Sequence, residues 1–378
     1  MSDSAPAFRP WRRFGFLPER DSFYRWWVRL AGSPRFQSRA SASRLTRGVA
    51  RSDGERLFDL VAGFVHSQVL AAFVRFDLAD ILAHAPLPVW KIAVRSGLDV
   101  DKAEILCRAA AALGLLRRHR DGRYGLGRLG AALPGVPGLA QMIRHHEVLY
   151  RDLADPEAVF RAGAETELAN FWPYVFGAQG ARDPETAATY SRLMSDTQGL
   201  VAEETLRTVS LDGVRRLMDV GGGTGAFLRA VQDVAPDLDL TLFDLPAVVA
   251  KAEVPEGTAI VPGSFRDDAL PEGHDAISLV RVLYDHADAT VTALLARVFA
   301  ALPPGGQLIV SEPMLGDDRP NRAGDVYFAL YTLAMQTGQT RSPSRIAALL
   351  KAAGFEDIAI PRTHRPFVTS VVTARKPS

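Results

Sequence analysis

Seven consecutive residues, Asp219-Val220-Gly221-Gly222-Gly223-Thr224-Gly225, constrain the fold of this chain more than any others. The apolar pair Leu217-Met218 precedes them, and a helical pattern through Phe227, Leu228 and Val231 follows. That order predicts a strand, a glycine turn and a helix. Glycine lacks a Cβ, so the turn lets backbone approach a ligand closely. The first N–H groups of the helix have no partner within it and point at that ligand. The glycines at 221, 223 and 225 do not have the G-x-G-x-x-G spacing of a pyrophosphate binder. A second strand, Leu240–Phe243, leads to Asp244. A carboxylate there can accept both hydroxyls of a ribose, as in dinucleotide folds. The plainer reading is a turn with no ligand, and the two acids weigh against it.

From Val214 onward, strands are expected at 215–220, 239–243, 258–262, 275–281 and 307–312, with two more at 356–361 and 367–374. Alternation with helices predicts an α/β fold, a Rossmann-like doubly wound parallel sheet. Upstream, residues 57–82 read as an unusually apolar helix. Helices follow at 89–96 and 101–115, then a hairpin over 117–126 turning at Asp121-Gly122. An all-round apolar helix requires burial on more than one side, which a subunit interface provides. Helix, helix, hairpin is a winged-helix pattern. The candidate DNA-reading helix opens with Asp101, Lys102 and Glu104, a poor match to a phosphate-lined groove, so dimerisation is the expected use. Residues 140–210 read as mostly helical, interrupted at Phe171-Trp172-Pro173. The expected organisation is an arm (1–50), a mainly helical winged-helix-like dimerisation domain (51–140), a helical linker lining the substrate pocket (141–210) and a cofactor-binding domain (211–378).

The net charge of +1 hides an asymmetry. Residues 1–51 carry eleven arginines against Asp3, Glu19 and Asp21, together with Trp11, Phe14, Phe16, Phe23, Tyr24, Trp26 and Trp27. Arginine interleaved with tryptophan suits an anionic membrane surface. The blander reading is an arm that packs on a partner subunit or stays mobile, and nucleic acid ranks below both. The start lacks an apolar signal region, and charge-free stretches are too short to span a bilayer. Cys107, the only cysteine, lies in an apolar helical run and is expected to be buried and structural. A cytoplasmic setting fits, peripheral on a membrane if the arm binds one.

From about Glu55 onward the chain resembles the small-molecule O-methyltransferases that pair a winged-helix dimerisation domain with a class I S-adenosylmethionine-binding domain. The resemblance rests on Ser67-Gln68, Gly122-Arg123-Tyr124, Val214 to Gly225 and Phe243-Asp244-Leu245-Pro246. It continues through Arg281-Val282-Leu283-Tyr284-Asp285, Pro303-Pro304-Gly305-Gly306 and Ser311-Glu312-Pro313. It implies S-adenosyl-L-methionine as cofactor, S-adenosyl-L-homocysteine as product and a homodimer. It implies cofactor contacts from Asp219, Gly221, Gly223, Gly225, Asp244, Leu245, Ser264, Phe265 and Arg281. Three segments are most similar to the branch that methylates the tertiary 1-hydroxyl of acyclic carotenoids: Arg281 to His286, Asp325-Val326-Tyr327-Phe328-Ala329, and Pro361-Arg362-Thr363 with Arg365-Pro366-Phe367.

The chain departs from the family at three places. Tyr284 stands where phenol-methylating members carry a histidine base, and Thr340 where many carry the glutamate that orients it. Ser264 stands where an acid contacts adenine, with Phe265 in the stacking position beside it. A tertiary alcohol is too weak an acid for prior deprotonation, so its proton is expected to leave during or after transfer. Tyr284, Asp285 and His286 are the candidate catalytic residues. Met194, Gln198, His146 and Tyr327 are expected to line the substrate pocket, His145 is a further candidate, and Glu312 ends a strand on the ligand side. No ligand spacing points to a metal. Other readings stay open: methylation of a phenolic or polyketide metabolite, a cofactor-binding relative without methyl transfer, and a winged-helix regulator.

Overall fold

The computed structural model describes residues 21–161, 165–171 and 197–378. Trp11, Phe14, Phe16, Trp172, Pro173 and Met194 lie outside them. The chain divides into two compact units, Met1–Val69 and Leu70–Ser378.

The first unit contains helices Asp21–Ala31 and Pro34–Ala42 and most of the long helix Arg47–Arg75. Pro34 sits in the first turn of its helix, where a missing N–H costs nothing. Along the long helix, Leu57, Phe58, Leu60, Val61 and Phe64 are exposed, and burial begins only near its end with Ala71, Phe73 and Val74. By length and composition this helix is apolar enough to cross a bilayer, although only 17% of its most apolar window is buried. That corrects the expectation drawn from charge-free runs. Asp59 interrupts such a run, but a helix of this length and hydrophobicity tolerates an occasional charge.

In the second unit, helices Val89–Ser96 and Val100–Ala112 precede an antiparallel hairpin of β1 (Leu116–Arg118) and β2 (Tyr124–Leu126). The winged-helix order is therefore present. Ile92, Ala103, Cys107, Ala110 and Tyr124 form its buried centre. The Tyr124 hydroxyl donates to Glu104 at 2.9 Å, tying hairpin to helix. Burial pushes the Cys107 thiol up to about 11, so it stays protonated and inert at neutral pH, as a structural cysteine should.

Helices Leu139–Asp152, Pro156–Phe160 and Glu167–Phe171 follow, and residues 197–208 are helical. Then comes the sheet: β3 (Arg216–Val220), β4 (Asp239–Asp244), β5 (Ala259–Pro262), β6 (Ala276–Val280), β7 (Gln307–Glu312), β8 (Glu356–Ala359) and β9 (Ser370–Arg375). The strand order is β5-β4-β3-β6-β7-β9-β8. The first five strands in that order run parallel, whereas β9 is antiparallel to both β7 and β8. Alternation sorts the side chains into two cores. Leu217, Leu240 and Leu242 pack with Phe227 and Val231 on one face. Met218, Val220 and Phe243 pack with Leu294, Val298 and Leu350 on the other. Burial on both faces explains why β6 is apolar except for Ser278 and why the middle of β7 is Leu308-Ile309-Val310. The chain leaves β3 toward β4 and β5, then returns to β6 on the other side. That reversal opens a crevice at the carboxyl ends of β3 and β6, where ligands bind in open α/β sheets.

Candidate active site

The glycine turn occupies that crevice. Asp219, at the end of β3, is fully buried. Its Oδ1 accepts from the Ser278 hydroxyl of β6 at 2.6 Å, and its Oδ2 has no partner among the described residues. Burial pushes its pKa to about 7. A buried carboxylate oxygen without a donor is costly, and it is relieved by a cation or N–H donor such as the amino group of the expected cofactor. Gly221, Gly223 and Gly225 all have positive φ, and a Cβ on Gly222 would lie 2.4 Å from Asp219 Oδ2. A larger side chain at Gly222 would collide with Asp219, and the positive φ of Gly221, Gly223 and Gly225 disfavours one there. Asp244 accepts from the N–H of Gly223 at 2.8 Å and of Leu245 at 2.7 Å, and burial raises its pKa to about 6. The carboxylate thus holds turn and strand end together, with further lone pairs for ribose hydroxyls. Acid, cradle and second acid all fit S-adenosylmethionine.

Ser264 donates its hydroxyl to Asp267 and its N–H to Asp268, so two acids flank the serine that replaces the family's acid. Phe265 meets the ring of His286 edge-on at 5.3 Å. His286 Nδ1 lies 3.1 Å from Arg266 Nη2. Burial, with Arg266 and Arg341 nearby, lowers the His286 pKa to about 4 and keeps the imidazole neutral. These contacts tie the His286 ring to Phe265 and Arg266.

Tyr284 and Asp285 form the other side of the loop. Tyr284 is buried, and Arg281 Nη2 approaches its hydroxyl at 3.4 Å. Arg281 has positive φ, uncommon for a non-glycine residue, and also donates to Thr197 at 3.0 Å. Burial raises Asp285 well above the usual carboxylate range; Arg281 and a hydrogen bond from Tyr284 pull it down, and Glu312 pushes it up. Asp285 Oδ1 has no hydrogen-bond partner among the described residues.

The loop is held from behind by Glu312, expected on the ligand side, and by Gly338, Gln339 and Arg341, which the sequence did not single out. Glu312 Oε2 accepts from the Tyr284 N–H at 3.0 Å, and the Gln339 N–H donates to the Tyr284 carbonyl at 2.8 Å. A Cβ on Gly338 would lie 2.3 Å from that carbonyl. Arg341, 1% exposed, donates to the carbonyls of Leu283 and His286 and pairs with Asp288. Thr340, at the position of the family's orienting glutamate, lies 3.1 Å from the Thr332 hydroxyl.

A wall of paired rings stands nearby. His146 Nε2 meets the Tyr327 hydroxyl at 2.6 Å, and His145 Nε2 meets that of Tyr331 at 2.8 Å. Burial lowers both histidines, His145 to about 4, and raises both tyrosines, so all four are neutral near pH 7. The tyrosines come from a π-helical segment, Arg322–Phe328, running into helix Ala329–Met335. Asn321 caps the segment by accepting from the Gly324 N–H. Such π turns recur at functional sites. Gln198 is half-buried beside Thr197.

Comparison with known proteins bears on this geometry. Residues 150–356 match the O-methyltransferase domain family, and residues 58–136 match the O-methyltransferase dimerisation domain. The exposed apolar residues of the long helix from Phe58 onward fall within the second match. The demethylspheroidene O-methyltransferase of Cereibacter sphaeroides is 54% identical over 358 residues, 93% of this chain and 94% of that one. Its counterpart from Rhodobacter capsulatus is 52% identical over 363 residues, 96% and 92% respectively. Among solved structures, human N-acetylserotonin methyltransferase in complex with SAM superposes with a TM-score of 0.75 at 27% identity, covering 86% of this chain and 98% of that one. The chain therefore belongs to the S-adenosylmethionine-dependent O-methyltransferase family and carries that family's dimerisation domain.

Proposed function

We propose that this enzyme methylates the tertiary 1-hydroxyl of an acyclic carotenoid. The 52–54% identity to two demethylspheroidene O-methyltransferases supports this substrate class. The observation that carries the reading is Tyr284, buried where phenol-methylating relatives are expected to hold a histidine base. A site without imidazole at that position suits an alcohol that is not deprotonated beforehand.

The cofactor, when bound, supplies an electrophilic methyl group on a sulfonium. Asp219 would hold its amino end, Asp244 its ribose, and Phe265 and His286 would flank its adenine. Tyr284 orients the substrate hydroxyl. As the oxygen gains a methyl group it becomes strongly acidic and loses its proton to Asp285 Oδ1, a buried oxygen with no other partner among the described residues. Burial that raises the pKa of Asp285 also makes its ionised form the more basic, and that form takes the proton from the strongly acidic protonated ether. Positioning supplies most of the rate. His146 and Tyr327 satisfy each other and leave a wall of ring faces for the polyene, with Gln198 contributing from the helix that precedes β3. The enzyme acts as a homodimer. We also infer that an apolar substrate of this kind is met at a membrane surface, with residues 1–50 as the contact.

The test is purified enzyme with labelled S-adenosylmethionine and a detergent-dispersed 1-hydroxycarotenoid, with catechol in parallel. Label is expected in the carotenoid. Label in catechol alone would replace the proposed substrate with a phenolic one.

A further inference from the structure

Helix Asp21–Ala31 is amphipathic by sequence position, with Val28 alone among its large apolar residues falling on the polar side. At 100° per residue, Phe23, Tyr24, Trp26, Trp27 and Leu30 fall on one face, and Asp21, Ser22, Arg25 and Arg29 on the other. In a water-soluble protein such a helix turns its apolar face to the core. Here Phe23 is 50%, Tyr24 66% and Trp26 55% exposed, and the Phe23 and Trp26 rings stack against each other at 5.6 Å. The following helix, Pro34–Ala42, has no buried residue either. Residues 21–51 carry seven arginines against Asp21 alone. The aromatic helix also precedes both segments that match the family, which begin at residue 58, so the family's dimerisation domain does not account for its apolar face. The match to the Rhodobacter capsulatus enzyme covers 96% of this chain, leaving fewer residues unmatched than precede the helix, which therefore lies inside it.

We propose that helix Asp21–Ala31 is an interfacial anchor that lies in the plane of an anionic lipid surface. Phe23, Trp26, Trp27 and Leu30 enter the acyl boundary, and Arg25 and Arg29, with the arginines of the next helix, meet the phosphates. Tryptophan and tyrosine favour this depth because one edge of each ring is apolar and the other polar. Arginine extends its stem across the boundary and keeps its charge in the headgroups. The benefit to catalysis rests on the proposed substrate, since a polyene alcohol has to be collected from a bilayer. The contact itself rests on the helix alone.

The experiment is co-sedimentation of the full chain with phosphatidylcholine vesicles, with and without phosphatidylglycerol. The wild type is expected to sediment with the anionic vesicles. Phe23→Ser with Trp26→Ser should weaken that binding about tenfold or more, and Arg25→Gln with Arg29→Gln by roughly tenfold, on anionic vesicles only. Both variants should keep cofactor affinity and transfer to detergent-dispersed acceptor, which shows that they are folded. Failure of the wild type to sediment, or equal sedimentation of the serine variant, overturns the proposal. So does a change in molecular mass by light scattering with vesicle binding intact, which would assign the face to a second copy of the chain. Vesicle binding lost on substitution, with no carotenoid ever methylated, would support the anchor and sink the substrate reading.

Discussion

The two halves of the proposed active site are built differently. The cofactor half consists of chain neighbours: Asp219 to Gly225 and Asp244-Leu245, on adjacent strands. Most of its geometry is local, an acid ahead of a glycine turn and an acid closing the next strand. The acceptor half is assembled from afar. Its loop, Leu283 to Asp288, is held by Glu312 of β7, by Gly338 and Gln339, and by Arg341, while the nearby wall joins His145 and His146 to Tyr331 and Tyr327. A local turn tolerates few residue types and stays recognisable. An acceptor site held by long-range contacts can exchange its reactive side chain, as at Tyr284 and Thr340, while its frame persists.

If the halves are separable, substitutions should divide between binding and transfer. The largest effect is expected for Asp219→Ala. Removing the buried carboxylate should weaken cofactor binding by about 10²-fold or more, measured by calorimetry. An unchanged affinity would remove Asp219 from the cofactor site. Arg341→Met should come next, acting on the acceptor frame. It strips donors from two loop carbonyls and leaves Asp288 with Arg345 alone. About 3 kcal/mol of stability should be lost in denaturant unfolding, with the rate falling more than cofactor affinity.

Smaller effects sharpen the division. Tyr284→Phe should slow transfer to a 1-hydroxycarotenoid about tenfold through lost orientation, with cofactor affinity unchanged. A parallel loss of cofactor binding would show that the halves are coupled. The pH response should be milder. Asp219 has a folded pKa of about 7 against an ordinary value of 3.8. A raised carboxyl pKa favours the folded state at low pH, and that contribution is lost as pH rises through about 7. The cofactor's cationic amino group requires the ionised form. Melting temperature of the free enzyme should therefore fall, and cofactor affinity should rise several-fold, as pH increases through about 7. Both trends should flatten in Asp219→Asn.

The same contrast explains what the sequence revealed. The expected strands fall within about two residues of those observed, apart from the start of the last strand, expected at 367 and observed at Ser370, because apolar runs bounded by turns are local signals. Ser278 escaped notice because only the β3–β6 register sets it beside Asp219. Arg341 looked like an ordinary charged residue ahead of Pro343, and nothing local marks a guanidinium buried under another loop. The π segment that aims Tyr327 at His146 has no simple periodicity. His286 was grouped with Tyr284 by adjacency, yet the short turn Leu283–Asp285 sends it to Phe265 and Arg266. The exposed face of the Arg47–Arg75 helix was legible as a demand for burial, and the dimerisation domain match gives that demand a physical answer.

The most direct test of the acceptor half compares Asp285→Asn with His286→Ala for transfer to the 1-hydroxycarotenoid at saturating cofactor. The account predicts a loss of about 10²-fold in Asp285→Asn. In His286→Ala it predicts a rate close to wild type once cofactor is saturating, with weaker cofactor binding. A rate abolished in His286→Ala at full cofactor occupancy, and retained in Asp285→Asn, would contradict it and make an imidazole the proton acceptor after all.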